Sequence, residues 1–268
     1  MRAILLTSTF RRHVFVANTA AASCELVGVW QEEKTFRPER YARDAEDHLI
    51  IERHFADRDA SEERYFFSDT EVRIDRGALH RTVSAGACSD PAEVALMAKT
   101  RPDVVLVFGT GILRNPLLSE FGGRIINIHL GVSPYYRGAG TNFWPLVNRQ
   151  PEYVGATIHY LDEGIDTGPI LAHARPCIDS ADGPHDVGNK TIVAAAQMLL
   201  RAAAAHVAGT TRAVPQWQGG RLYQRKDFNA DAVRALYRNF ESGMIHEYLA
   251  ARIARDAALR LIELEQVA

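Results

Sequence analysis

An asparagine and a histidine two residues apart, with an aspartate between two glycines further along, are the residues of this chain best suited to chemistry on a carbonyl. The first pair lies in Ile125-Ile126-Asn127-Ile128-His129-Leu130-Gly131-Val132-Ser133-Pro134, an apolar run that reads as a strand. Side chains alternate across a strand, so Asn127 and His129 share a face and aim at one point, where a carbonyl could sit. The aspartate lies in His159-Tyr160-Leu161-Asp162-Glu163-Gly164-Ile165-Asp166-Thr167-Gly168. Flanking glycines put Asp166 on a turn rather than inside a strand. One amide, one imidazole and one carboxylate are thus candidates for a single site. A histidine ending an apolar strand is usually structural; Asn127 and Asp166 in step with it favour a catalytic role. For His159, structural and supporting roles both stay open.

The elements that must position these groups follow an α/β rhythm. Residues 2–7 read as a buried strand, residues 10–22 as a helix and residues 26–30 as a second strand. The turn after the first strand has neither Gly-x-Gly-x-x-Gly nor a P-loop, which removes the main support for nicotinamide or ATP chemistry. Pro91 at a first helical position opens a helix to Lys99, and Asp103–Phe108 is a continuous apolar run of the kind buried in a parallel sheet. Strand, helix, strand implies right-handed βαβ units, with ligands at the carboxyl ends of the strands, where Gly109 to Gly111 and His129 fall. Residues 141–149 read as a short helix capped by Thr141 with Trp144 in the core, 170–178 as a strand, 184–209 as the longest helix, and 231–267 as helical by period. Between them, residues 31–69 form a charged, aromatic-bearing stretch (Phe36, Tyr41, Phe55, Tyr65) expected to be a helical insertion over the sheet edge.

At 268 residues and 47% hydrophobic, the chain can bury a sizeable core. The expected division is a Rossmann-like catalytic domain with a mostly parallel sheet over 1–209 and a small, mainly helical extension over 210–268. No window reaches the roughly 18 apolar residues of a membrane span, and the polar Thr7-Ser8-Thr9 breaks any leader-like run. Cys24, Cys88 and Cys177 are widely separated, which fits reduced thiols in a cytoplasm and gives no metal framework. A net charge of -2 argues against a nucleic-acid footprint over the whole protein and leaves a local basic patch open.

Asn127-x-His129, Pro134 followed by Tyr136-Arg137-Gly138, and Asp162-x-Gly164-x-Asp166-x-Gly168 together resemble the formyltransferases that use 10-formyltetrahydrofolate. The resemblance is good over about residues 80–178 and loose elsewhere. It implies that Asn127 and His129 bind the oxygen of the transferred formyl group, and that Asp166 holds His129 or a water that takes the amine's proton. Such chemistry asks for preorganised donors at a developing oxyanion, each worth on the order of 3 kcal/mol, and an imidazole to carry the proton. The donor is then 10-formyltetrahydrofolate, with no metal. By resemblance the pterin meets the loop of Phe108, Gly109, Gly111, Ile112 and Leu113, together with Asp162 and Gly164, although Asp162 also reads as a turn former. Many members carry a serine hydroxyl where this chain has Gly131, and a hydroxyl appears instead at Ser133.

For the acceptor, the short helical segment after Trp217 is unlike the basic barrel with which methionyl-tRNA formyltransferases grip their substrate, and glycinamide ribonucleotide enzymes lack a stretch like 31–69. The resemblance is nearest to sugar-nucleotide N-formyltransferases of surface-polysaccharide pathways, such as lipopolysaccharide O-antigen biosynthesis. This implies a nucleotide-linked 4-amino-4,6-dideoxy sugar, with Arg137, Arg225 and Lys226 as candidates for its diphosphate and Tyr223 for the acceptor. Tyr135, Tyr136 and Arg137 read either as acceptor contacts or as loop packing, and the helical tail reads as packing on the main domain or as a dimer contact. Alternatives are formylation of a hydroxyornithine-type amine and a non-catalytic folate or nucleotide module. A general esterase is disfavoured, because no Gly-x-Ser-x-Gly elbow is present.

Overall fold

The computed structural model describes residues 1–34 and 37–264. Its centre is a seven-stranded sheet of β1 (Arg2–Ser8), β2 (Glu25–Glu32), β3 (Leu79–Val83), β4 (Val104–Phe108), β5 (Ile125–Leu130), β7 (Ala156–Tyr160) and β8 (Ile170–Ala174), in the order β3-β2-β1-β4-β5-β7-β8. The first five strands are parallel, while β7 runs antiparallel to both β5 and β8. This mostly parallel sheet is the expected class. The runs Ala3–Leu6 and Val104–Phe108 are buried throughout because helices cover both faces.

On one face, α1 (Arg11–Ala21) and α6 (Pro184–Val207) bring Val16, Ala17, Ala195, Leu199 and Ala203 against Leu5, Leu106 and Ile126. On the other, α3 (Pro91–Lys99) and α4 (Leu117–Phe121) bring Val94, Met97, Leu117 and Phe121 against Ile4, Leu6 and Val105. Alanine spacing lets α6 lie close to the sheet. Asp186 in its first turn accepts the Gly183 N–H at 3.0 Å and so caps the helix.

Within 31–69, β2 continues to Glu32 and the rest is dominated by α2 (Ala45–Tyr65), capped by Asp44, which accepts the Asp47 N–H at 2.9 Å. This helix packs on α6 and α7 (Ala230–Glu241) rather than over the sheet edge, with Ile51 buried against Ala230 and Val233. Phe36 lies outside the described residues. A second, two-stranded parallel sheet joins β6 (Tyr136–Gly138) to β9 (Arg221–Tyr223).

Other differences have local causes. β3 has no counterpart in the sequence reading, because four of its five residues are exposed at the sheet's edge and show no apolar alternation. The strand expected over 170–178 ends at Ala174. The period expected over 231–267 is two helices, α7 and α8 (Met244–Ala257), broken at Gly243, whose φ of +82° suits glycine. After α8 the chain runs without helix along β8, where the His173 N–H donates to the Ile262 carbonyl at 2.7 Å and the His173 ring accepts the Ile262 N–H; Val267 lies outside the described residues. The helix expected from Thr141 shrinks to α5 (Trp144–Val147), with Phe143 before it, and Thr141 is engaged elsewhere.

Candidate active site

The carboxyl end of β5 brings Asn127 and His129 to the surface of a cleft, each 8% exposed. Antiparallel pairing sets His159 of β7 opposite Asn127 and Thr157 opposite His129, so directly paired residues share the site's face. Asp166 arrives from the turn between β7 and β8 with φ +54°, a left-handed conformation uncommon outside glycine. That turn is fixed from two sides. Gln216 donates to the carbonyls of Asp166 and Gly168 at 2.7 and 2.9 Å, and Asp162 accepts the Gly164 N–H at 3.0 Å and the Thr167 hydroxyl at 2.8 Å.

The three groups meet as the spacing suggests. His129 Nδ1 lies 3.1 Å from Asp166 Oδ2, and Asn127 Nδ2 lies 3.0 Å from His159 Nε2. His159 Nδ1 is 2.8 Å from the Tyr160 carbonyl, which can only accept. His159 therefore carries its proton on Nδ1 and accepts from Asn127 at Nε2, which orients the amide. Its Nε2 is 3.7 Å from Asp166 Oδ1, too far for a hydrogen bond. Burial pushes the Asp166 carboxyl up, but the hydrogen bond from His129 outweighs it, holding the group below the usual carboxylate range. An ionised Asp166 keeps the proton of neutral His129 on Nδ1 and leaves Nε2 facing the cleft as a base.

The cleft encloses about 540 Å³. Phe108, Gly109, Gly111, Ile112, Leu113, Asp162 and Gly164 all line it, together with the three central residues. Gly109 has φ +75°, and a Cβ there would overlap the His13 ring. The loop is anchored from beneath by the fully buried Glu32, whose Oε2 accepts the Gly111 N–H at 2.6 Å and whose Oε1 accepts those of Gly86 and Cys88 at 3.1 and 3.4 Å. Ile112 and Ile165 are 56% and 67% exposed on the lining, apolar surfaces of the kind a flat heteroaromatic ring would cover.

Sequence reasoning missed the other side of this cleft. Arg12 and His13 in the first turn of α1, and Lys34 just after β2, line it with Arg225. Arg12 pairs with Glu62 of α2, and Lys34 donates to the Thr110 carbonyl at 3.3 Å. Burial lowers the Lys34 pKa, and Arg12 and Arg225 lower it further against the pull of Glu32. Burial, then Arg12 and Lys34, hold His13 well below the usual histidine range. Both segments follow carboxyl ends of strands, a positional signal the sequence did offer.

The remaining expected acceptor contacts are placed differently. Tyr136 is buried and donates to Gln150 Oε1 at 2.6 Å, and Tyr223 stacks on Trp144 at 4.3 Å between ring centres and accepts from Asn148 at 2.8 Å. The Tyr135 hydroxyl accepts the Arg260 N–H at 2.8 Å, with its ring against Tyr153. These three tyrosines belong to an aromatic packing layer and do not line the cleft. Neither do the exposed Arg137 and Lys226, although the neighbours Gly138 and Arg225 do.

Comparison with known proteins fits this arrangement. The sequence pattern of the formyl transferase family matches residues 16–203. The chain belongs to this family. Among relatives of this formyl transferase, the methionyl-tRNA formyltransferase of Syntrophus aciditrophicus is 34% identical over 42% of this chain, and the match spans only 36% of that relative. A sugar N-formyltransferase candidate from Mycobacterium tuberculosis superposes with a TM-score of 0.55 at 21% identity, covering 85% of this chain and 77% of the other. The phosphoribosylglycinamide formyltransferase of Anaplasma phagocytophilum gives 0.55 at 16% identity, covering 84% and 98%. At these identities the structural likeness is one of fold.

Proposed function

We propose that this formyl transferase moves the formyl group of 10-formyltetrahydrofolate to the primary amine of a nucleotide-linked amino sugar, of the 4-amino-4,6-dideoxyhexose type. Formyl transfer rests on Asn127, His129 and Asp166 meeting at the end of β5. The acceptor class rests on one observation: Arg12, Lys34 and Arg225 gather on the same cleft, with a carboxylate partner for Arg12 in Glu62. Cations crowded together are relieved by an anion, and arginine and lysine suit the oxygens of a diphosphate.

The folate cosubstrate fits the side of the cleft between Ile112 and Ile165, where the Glu32-anchored loop presents backbone and apolar side chains. When bound, it supplies the formyl carbon. The chain's residues do the rest. Asn127, oriented by His159, donates from its remaining amide hydrogen to oxygen. His129 Nε2 takes the proton as the amine adds and would return it to the folate nitrogen as its bond to the formyl carbon breaks and tetrahydrofolate leaves, while Asp166 stabilises the imidazolium through Nδ1. The two carbonyls bound by Gln216 hold Asp166 in its left-handed turn, so this alignment exists before substrates bind.

The methionyl-tRNA relative suggests a nucleic-acid acceptor instead. Against that reading, the segment after α6 folds back with α7 on α2 and α5 and α8 on α7 and residues 151–153, and the net charge is -2. A hydroxyornithine-type amine brings a single carboxylate, which answers three gathered cations less fully than a diphosphate does, and a non-catalytic module would not need the triad. A cytoplasmic, dimeric enzyme remains part of the proposal; no described helix is long and apolar enough to cross a membrane.

The test is tetrahydrofolate release from 10-formyltetrahydrofolate with dTDP-, GDP- and UDP-linked amino sugars, hydroxyornithine and methionyl-tRNA as acceptors. Release that depends on one sugar nucleotide supports the proposal. Release with methionyl-tRNA or hydroxyornithine alone would replace the acceptor, and release without any amine would make the protein a hydrolase.

A further inference from the structure

Gly131 and Thr141 occupy one space. Gly131 has φ +149°, and a Cβ built on it would lie 2.5 Å from Thr141 Cβ, 2.6 Å from Thr141 Oγ1 and 3.1 Å from His129 Nε2. The side chain missing from the strand end is thus replaced by one reaching in from the loop before α5. Thr141 is 3% exposed; its hydroxyl bonds to the Leu130 carbonyl, and its oxygen lies 3.4 Å from His129 Nε2. Ser133, the other hydroxyl near this strand end, is buried with Oγ lacking a hydrogen-bond partner, so it does not serve His129.

The bonding rules fix the direction. A carbonyl only accepts, so the Thr141 hydrogen points to Leu130 and an oxygen lone pair is left toward His129 Nε2. Neutral His129, with its hydrogen on Nδ1 toward Asp166, has a bare Nε2 and gains nothing from that lone pair. After Nε2 takes a proton, the same lone pair accepts it. We propose that Thr141 is a positioning residue that supports the protonated form of His129 at Nε2, as Asp166 does at Nδ1. The inference rests on the formyl-transfer reading, in which Nε2 is the base, and extends it to a residue outside the triad. A hydrogen bond made only to the charged form favours proton uptake. The other charged or titratable groups facing this ring are His159 from β7, Asp166 and Asp162 from the turn after it, and across the cleft His13, Arg12, Lys34 and Arg225. None of these changes when Thr141 is substituted.

Thr141→Val keeps the shape and removes the hydroxyl; Thr141→Ser keeps the hydroxyl and removes the methyl. His129 is titrated by two-dimensional ¹H–¹⁵N NMR in the wild type and both variants, with thermal midpoints as a control for folding. Thr141→Val should lower the His129 titration midpoint by about half a pH unit or more, and Thr141→Ser should leave it near wild type. With the acceptor identified, Thr141→Val should lower kcat about tenfold with both KM values within about twofold, and Thr141→Ser should restore kcat. An unmoved midpoint in Thr141→Val, or equal shifts in both variants, overturns the role of Thr141. Failure of the wild type to release tetrahydrofolate with any amine would overturn the proposed reaction and leave the titration result standing, so the two failures are distinct.

Discussion

Replacing His173 by glutamine should flatten the acid sensitivity of the fold. His173 sits on β8 with Nε2 2.9 Å from the Ser133 carbonyl and Nδ1 accepting the Ile262 N–H at 2.9 Å. A carbonyl accepts and an amide donates, so the ring fits only when neutral, with its hydrogen on Nε2. Burial lowers its pKa to about 4, against the opposing pull of the Ser133 carbonyl. An unfolded histidine titrates near 6.5. Between these values the unfolded chain binds a proton that the native chain does not. The stability tied to His173 is therefore complete above about pH 6.5, falls as pH drops below it, and stops falling near pH 4. At about pH 5 the loss is about 1.5 pH units at 1.36 kcal/mol each, or about 2 kcal/mol. Glutamine can still donate to Ser133 without titrating, at a cost of about 1 kcal/mol at every pH for the Ile262 bond. Urea unfolding at about pH 7.5 and about pH 5 measures the change. The drop in unfolding free energy should be about 2 kcal/mol smaller in the variant than in the wild type. His185 and His54, lowered by burial to about 4 and about 3, act in the same direction in both proteins and cancel in this difference. An identical drop in both proteins would refute the assignment.

Other consequences are as direct. Asp166→Asn should keep the fold and cut tetrahydrofolate release at least about a hundredfold, because His129 loses its ionised partner; near-normal turnover would sink the proposed base. Arg225→Ala should raise the KM for a sugar-nucleotide acceptor about tenfold or more and leave the folate KM near wild type, and an unchanged acceptor KM would remove Arg225 from that role. Glu32→Ala leaves the Gly86, Cys88 and Gly111 N–H groups without their acceptor and should cost roughly 2–3 kcal/mol in urea unfolding while raising the folate KM.

Legibility in the sequence followed burial. Strands covered on both faces, such as Val104–Phe108, declare themselves as apolar runs, and α6 by its cap and period. The edge strand β3 does not, because an exposed strand bears no pattern its environment would impose. Asn127 and His129 could be paired from their spacing, since that depends only on alternation along one strand. The link from Asn127 to His159 depends on the register of β5 against β7, which no local pattern encodes. Tyr135, Tyr136 and Tyr223 were expected at the acceptor because aromatic residues near a site suit both packing and binding. Their hydroxyl partners Arg260, Gln150 and Asn148 decided for packing.

The antiparallel pairing of β5 and β7 also bears on how this enzyme can change. Asn127 faces His159 and His129 faces Thr157, so a slip of one residue between the strands would turn the whole set to the opposite side of the sheet. The chain from 131 to 155 hangs between these two strands and carries Gly138, Thr141 and Phe143 into the cleft. Insertions or deletions there leave the strand pairing intact. The wall of the cleft formed by this loop can therefore vary in length and composition without displacing Asn127, His129 and His159, which stay pinned to the ladder, whereas Thr141 on the loop and Asp166 on its turn lie outside that protection.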